Sequence, residues 1–198
     1  MFSAIKDGLI FKRKFTAVIV ALALGGVLSG CAVSQFGRLA VPQASGLTCF
    51  PSGVCVEDPA RADEAKALRD DAVSFVQGRM GRFSVMPRLL FCTTKRCSKK
   101  FGNPQIGAQY FWGTNQIVVS DVGWVKYMVR HEMIHHWQAE QFGAAESAKN
   151  LPQWYVEGMA YEFSNDPRGT ISSPVAQKHR ARFRAWIAAG NNWRVPPA

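Results

Sequence analysis

The segment Val129-Arg130-His131-Glu132-Met133-Ile134-His135-His136-Trp137 concentrates the chemistry-bearing residues of the chain. It lies in a stretch without Gly or Pro, which fits a helix. His131 and His135 are four apart, so their imidazoles leave a helix from one face and can grip one metal ion. Glu132 directly follows the first histidine, an arrangement that aims its carboxylate at a metal-bound water rather than at the metal. Such a set does hydrolytic chemistry. Zinc lowers the pKa of its water towards neutrality, and the carboxylate takes the proton as the water attacks a carbonyl. Shuffled, a 198-residue chain with these 4 His and 7 Glu would show His-Glu-x-x-His with a probability of about 0.3%. His136 points about 100° away from its neighbour and is read as outer support or surface, not as a ligand.

Two imidazoles leave a catalytic zinc one protein ligand short. Leu151-Pro152-Gln153-Trp154-Tyr155-Val156-Glu157-Gly158-Met159-Ala160 lies downstream, with Glu157 22 residues after His135. That gap fits a helix end, a loop and a returning helix. The two stretches together resemble the gluzincin branch of the zincin metallopeptidases, where a Pro-x-Trp-x-x-Glu-Gly-x-Ala stretch carries the third ligand. The resemblance covers the region from Gln105 to Asn165. It implies His131, His135 and Glu157 as ligands to Zn2+, Glu132 as general base, and a peptide or protein as substrate. It also implies an edge strand, 107–111 or 117–120, beside an extended substrate. A cell-wall amidase is the alternative enzyme. A degenerate zincin kept as a binding or assembly lipoprotein is the non-catalytic alternative, although such a domain has no chemical need to keep Glu132.

The chain departs from that pattern in three ways. Where some gluzincins carry an acid that orients a ligand histidine, four residues after the ligand Glu, this chain has Tyr161. Its phenol oxygen could accept the imidazole N–H instead. Too few residues follow Glu157 for a separate carboxy-terminal lobe. The donor that would stabilise an oxyanion is not assigned: His179, Tyr161, Tyr155, Tyr110 and Tyr127 are the candidates, and such donors are recognised by geometry.

The elements that must position these residues suggest an α+β fold. A small mixed or antiparallel sheet is expected, with helices packed on it and zinc between two of them. Asp58 with Pro59 behind it starts a helix, with Leu68, Ala72, Phe75 and Val76 on its apolar face, and Gly78 and Gly81 end it. Residues 85–91 read as a strand. Residues 109–112 and 117–120 form a hairpin around Gly113-Thr114-Asn115. Ser120 or Asp121 caps the His131 helix, which stops at Gly143. The Glu157 helix covers 153–163, and a last helix runs over 174–189. Trp112, Trp124, Trp137 and Trp154 are assigned to the core.

The first thirty residues read as a leader. Lys12, Arg13 and Lys14 precede an uncharged apolar run over 15–27, too short for a membrane span. Leu28-Ser29-Gly30-Cys31 resembles the lipobox of bacterial lipoproteins, which implies cleavage before Cys31 and lipid on it. By resemblance to lipoprotein sorting, the lack of Asp at Ala32 favours the outer membrane. Expected domains are therefore a signal peptide over 1–30, a lipidated tether with a disulfide loop over 31–57, and the metallopeptidase domain over 58–198. Four cysteines then remain, an even number that suits disulfides in an exported chain. Cys49–Cys55 and Cys92–Cys97 are the local pairings, with two other connectivities open. The net charge is +10, with clusters at Lys95, Arg96, Lys99 and Lys100 and at Arg180, Arg182 and Arg184. A basic surface suits lipid head groups or anionic envelope polymers. No nucleic-acid-binding motif is present, and no nucleic-acid partner is expected.

Overall fold

A computed structural model describes residues 34–197. The leader and the lipobox cysteine Cys31 lie outside the described residues. Five strands form one mixed sheet: β1 (Thr48–Cys49), β2 (Val54–Val56), β3 (Arg88–Phe91), β4 (Ala108–Phe111) and β5 (Gln116–Val119), in the order β1-β2-β3-β5-β4. β2, β3 and β5 run parallel, while β1 and β4 close the two edges antiparallel.

Strand alternation divides the core in two. Val54, Val56, Leu89, Phe91, Ile117 and Val119 face one side and meet the apolar faces of α2 (Ala62–Met80) and α4 (Lys126–Phe142). Cys55, Leu90 and Val118 face the other side, where they pack with Leu39 of α1 (Gln35–Ala40) and Phe101 of α3 (Lys95–Phe101). The inner strands are buried on both faces, as parallel strands covered by helices require. Three more helices complete the described fold: α5 (Ala144–Lys149), α6 (Gln153–Phe163) and α7 (Pro174–Ala188).

The mixed sheet and the abundant helix agree with the expected mixture of α and β. The segment expected as a tether is different. Residues 35–57 supply α1 and two strands, and β2 sits inside the sheet between β1 and β3. Leu39, Leu47, Val54 and Val56 are buried. Three strand residues are too few for a period to be read, and the Pro51-Ser52-Gly53 turn before them looks like linker. Both local disulfides are formed, Cys49–Cys55 across β1 and β2 and Cys92–Cys97 from the end of β3 into α3.

Asp58 caps a short turn that leads into α2 (the Ala60 N–H donates to its Oδ1 at 3.0 Å). The helix continues through Gly78 and ends at Gly81. Pro87 holds the β3 strand to the four residues after it. In the hairpin, Gly113 and Asn115 take left-handed backbone, φ 80° and 52°. Neither Ser120 nor Asp121 caps α4. Residues 120–125 turn instead over Gly107, whose carbonyl accepts from the Ser120 N–H at 2.8 Å. The crossing is tight: a Cβ on Gly123 would fall 1.7 Å from the Gly107 oxygen.

Candidate metal centre

α4 crosses the sheet face and presents His131, Glu132 and His135 to a cleft of about 680 Å³. It is locked from outside by Arg130, which gives Asp71 of α2 two hydrogen bonds, Nε to Oδ2 at 2.7 Å and Nη2 to Oδ1 at 3.0 Å. The same guanidinium lies 3.9 Å from the Phe75 ring centroid. Arg130 and Lys126 hold the Asp71 carboxyl below its ordinary pKa, although burial pulls the other way.

α6 returns across α4 and brings Glu157 to the same cleft. Its oxygens lie 3.4 Å from His131 Nε2 and 3.5 Å from His135 Nε2, and the two imidazole nitrogens are 3.1 Å apart. The close return depends on Gly158. A Cβ there would meet the His179 carbonyl oxygen at 2.5 Å and the Phe183 Cβ at 2.6 Å, so α7 packs directly on bare backbone.

Burial opposes a charge on His135, yet the Glu157 carboxylate outweighs it and raises the pKa to about 9. The same pairing drives Glu157 far below the carboxylate range against its own desolvation. Without metal, the site therefore holds a proton between imidazole and carboxylate. These are the groups a divalent cation would meet, and it would replace that proton.

Gln138 is the residue that sequence reasoning missed. Its Nε2 donates to the Val156 carbonyl at 3.0 Å, which leaves its Oε1 towards His135 Nδ1 at 2.8 Å. An acceptor at Nδ1 fixes the N–H there in the neutral ring and keeps the Nε2 lone pair for a cation. Its position three residues after His135 on the same helix was the available signal. Tyr161, expected as an acceptor for a ligand N–H, packs its ring against His131 instead, 4.4 Å between centroids and 65° between planes. Burial, with Glu157 and Glu132 adding to it, raises its phenol to about 12, so it stays a hydrogen-bond donor.

Glu132 lines the cleft, and its Oε2 accepts from the Tyr110 N–H of β4 at 2.7 Å. Among the described residues, Oε1 has no hydrogen-bond partner. His136 is fully buried and meets the Val85 carbonyl at 2.8 Å, so it is neither surface nor ligand. Trp112, assigned to the core, lines the cleft with its ring 5.4 Å from that of His135. Trp137 is core, whereas Trp124 and Trp154 are half-buried.

Of the candidate oxyanion donors, Tyr161, Tyr127 and Tyr110 line the cleft, but the Tyr110 hydroxyl is turned to Asn115 at 3.5 Å. The Tyr155 hydroxyl is spent on the Trp193 carbonyl at 2.7 Å. His179 lies on α7 behind Gly158 and does not line the cleft.

Two alternative locations lack the chemistry. A second cleft of about 690 Å³ at the hairpin end of the sheet has no His, Cys, Asp or Glu in its lining. Glu57 lies close to Cys92 and Cys97, but that cysteine pair is a disulfide. Comparison with protein families, with curated proteins and with solved structures found no match for the chain. Fold and site define a mixed α/β domain whose cleft carries a three-residue candidate metal centre.

Proposed function

We propose that the cleft holds zinc on His131, His135 and Glu157 and that the chain hydrolyses a peptide or other amide bond, as a zincin of the gluzincin kind. One observation carries this reading. One donor atom from each of His131, His135 and Glu157 lies within 4.8 Å of the other two. The imidazole nitrogens are 3.1 Å apart, and each faces a different Glu157 oxygen, His131 Nε2 to Oε2 at 3.4 Å and His135 Nε2 to Oε1 at 3.5 Å. These spacings are close to the edge of a tetrahedron whose corners lie at zinc–ligand distance. For donors about 2.1 Å from the ion, that edge is about 3.4 Å. Cys31 would be the lipid anchor that carries the domain on the cell envelope, facing the periplasm. Two disulfides support an oxidising compartment. Among the described residues no helix is long and apolar enough to cross a membrane.

Zinc, when bound, supplies Lewis acidity that makes a neighbouring water a nucleophile near neutral pH. The protein's own groups do the rest. Glu132, steadied by the Tyr110 N–H through one oxygen, uses the other to take a proton from the attacking water and pass it to the leaving nitrogen. Gln138 keeps His135 in the tautomer that offers Nε2. Tyr161, protonated beside His131, donates to the oxygen on which charge develops.

The test is zinc content together with cleavage of a mixed-sequence peptide library, for the parent and for Glu132→Gln. The parent should hold one zinc. Glu132→Gln should keep the zinc and lose about 10²–10⁴-fold in rate. A parent without zinc, or a Glu132→Gln chain that turns over like the parent, would refute the reading.

A further inference from the structure

Resting on the hydrolase reading above, we propose that Arg168 is a specificity residue that recognises a carboxylate of the peptide substrate. Among the cleft-lining residues it is the one Lys or Arg. Apart from the candidate ligands His131 and His135, the other charge-bearing side chains of the lining are acids: Glu132, Glu157 and Asp166. The cleft shares its surface with the ligand set, so whatever Arg168 holds lies in the same space as the bond to be cut.

The arginine is prepared for this task. α6 ends at Phe163, and Asn165 then takes left-handed backbone, φ 58°, which turns the chain back. The Asp166 side chain is buried inside that turn, 1% exposed, and it accepts from Arg168 Nε at 2.9 Å and from Nη2 at 2.6 Å. The loop is held from behind by Arg180, which donates to the Arg168 carbonyl at 3.0 Å and to Glu162 of α6 at 3.0 Å. The Tyr127 ring lies 4.9 Å from the guanidinium carbon. The guanidinium is thus fixed in plane and direction while its side chain stays 34% exposed.

Donor counting shows what remains. A guanidinium has five N–H groups, and Asp166 takes two of them. Among the described residues Nη1 has no partner, so the Nη1–Nη2 edge offers two parallel N–H groups. That edge matches the two oxygens of a carboxylate. Bracing the loop would not by itself require charge, because a buried ion pair gains little over apolar packing of similar volume. An ion pair kept at the wall of a cleft, with one donor edge left over, suits a ligand.

The carboxylate can come from the substrate's free C-terminus or from an Asp or Glu side chain. Synthetic peptide libraries distinguish the two. One pair differs only in a free or an amidated C-terminus; a second pair, both amidated, contains Asp and Glu or the matching Asn and Gln. The zinc-loaded full chain and Arg168→Gln are compared by kcat/KM on each pair. Binding of the same peptides to the Glu132→Gln chain is measured alongside.

The parent should favour the carboxylate member of one pair by about 10- to 100-fold, as a charge-assisted bidentate contact supports. In Arg168→Gln that ratio should fall to about one. A substitution that merely loosened the loop would lower both members by one factor and leave the ratio, which would overturn the proposal. Cleavage without any carboxylate preference would overturn it too, and leave the hydrolase reading standing. A carboxylate preference in binding, lost in Glu132→Gln/Arg168→Gln, with no peptide cleaved, would support Arg168 and refute the hydrolase reading.

Discussion

Replacing Gln138 with Met asks whether the outer partner of His135 governs the metal. Methionine keeps the length of the side chain and its place beside Met159, whose Sδ lies 3.4 Å from Gln138 Nε2. Both hydrogen bonds are lost. One buried group then lacks a partner, the His135 Nδ1–H, at about 1–3 kcal/mol, because the Val156 carbonyl sits inside α6 and keeps its bond from the helix backbone. The zinc-free chain should therefore lose about 1–3 kcal/mol of stability. Loss of a hydrogen-bond partner behind a metal ligand typically lowers affinity by about 10- to 100-fold, or about 1.4–2.7 kcal/mol. Chelator competition near neutral pH measures the affinity, and melting with and without zinc measures the stability. Affinity is the deciding quantity. A purely structural glutamine would lower the melting temperature yet leave the folded site's affinity alone. A folded Gln138→Met chain that binds zinc within twofold of the parent would refute the argument that Gln138 sets the imidazole.

Zinc should compete with protons at His135. With its pKa at about 9, affinity should rise with pH up to that value, by up to about tenfold per unit for one displaced proton. The zinc-free chain should show the opposite trend. A raised histidine pKa stabilises fully below 6.5 and is lost as pH rises through about 9, while the lowered Glu157 stabilises above 4.5. Its melting temperature should thus peak between 4.5 and 6.5; a maximum near pH 9 would contradict the pairing. Asp71→Ala should cost about 2–3 kcal/mol in urea unfolding, below the fully buried figure because Asp71 and Arg130 keep some solvent contact; a loss under about 0.5 kcal/mol would mean that the pair does not lock α4. Gly158→Ala gains about 1 kcal/mol of helix propensity but overpacks α7 by about 1–3 kcal/mol, so net destabilisation is expected, and a stabilised variant would show that α7 yields easily. Cys31→Ser should release the protein from the membrane fraction, and unchanged fractionation and mature mass would sink the anchor.

The residues legible from sequence were those whose spacing is itself the geometry. Four residues on one helix bring His131 and His135 together, and the return of α6 brings Glu157 to them. The hairpin was legible because Gly113 and Asn115 state their backbone in their identity. What escaped depends on partners remote in sequence. β2 is three residues long and earns its place through β3, more than 30 residues away. Gln138 acts through the Val156 carbonyl on another helix. Gly158 looked like part of a motif, and its reason is the backbone of α7. His179 was considered because it is the last histidine in the chain, a property with no geometric content.

Tyr110 shows why the sheet matters to the candidate chemistry. β4 pairs with β5 along one side only, so its outer edge faces the cleft. Gln109 and Phe111 alternate with Tyr110 along that strand, and the Tyr110 N–H points outward to Glu132. The carboxylate next to the candidate ligands is therefore tied to the strand edge at 2.7 Å rather than left to its rotamers. A free glutamate would have to be ordered before each proton transfer, at a cost in side-chain entropy of up to about 1.5–2 kcal/mol. The strand edge removes that cost in advance. It also ties the position of Glu132 to residues 107–111, so any shift of β4 moves the proposed base together with the wall of the cleft. A His-Glu-x-x-His helix by itself places candidate ligands; here the edge strand adds the alignment that Glu132 would need as the proposed general base.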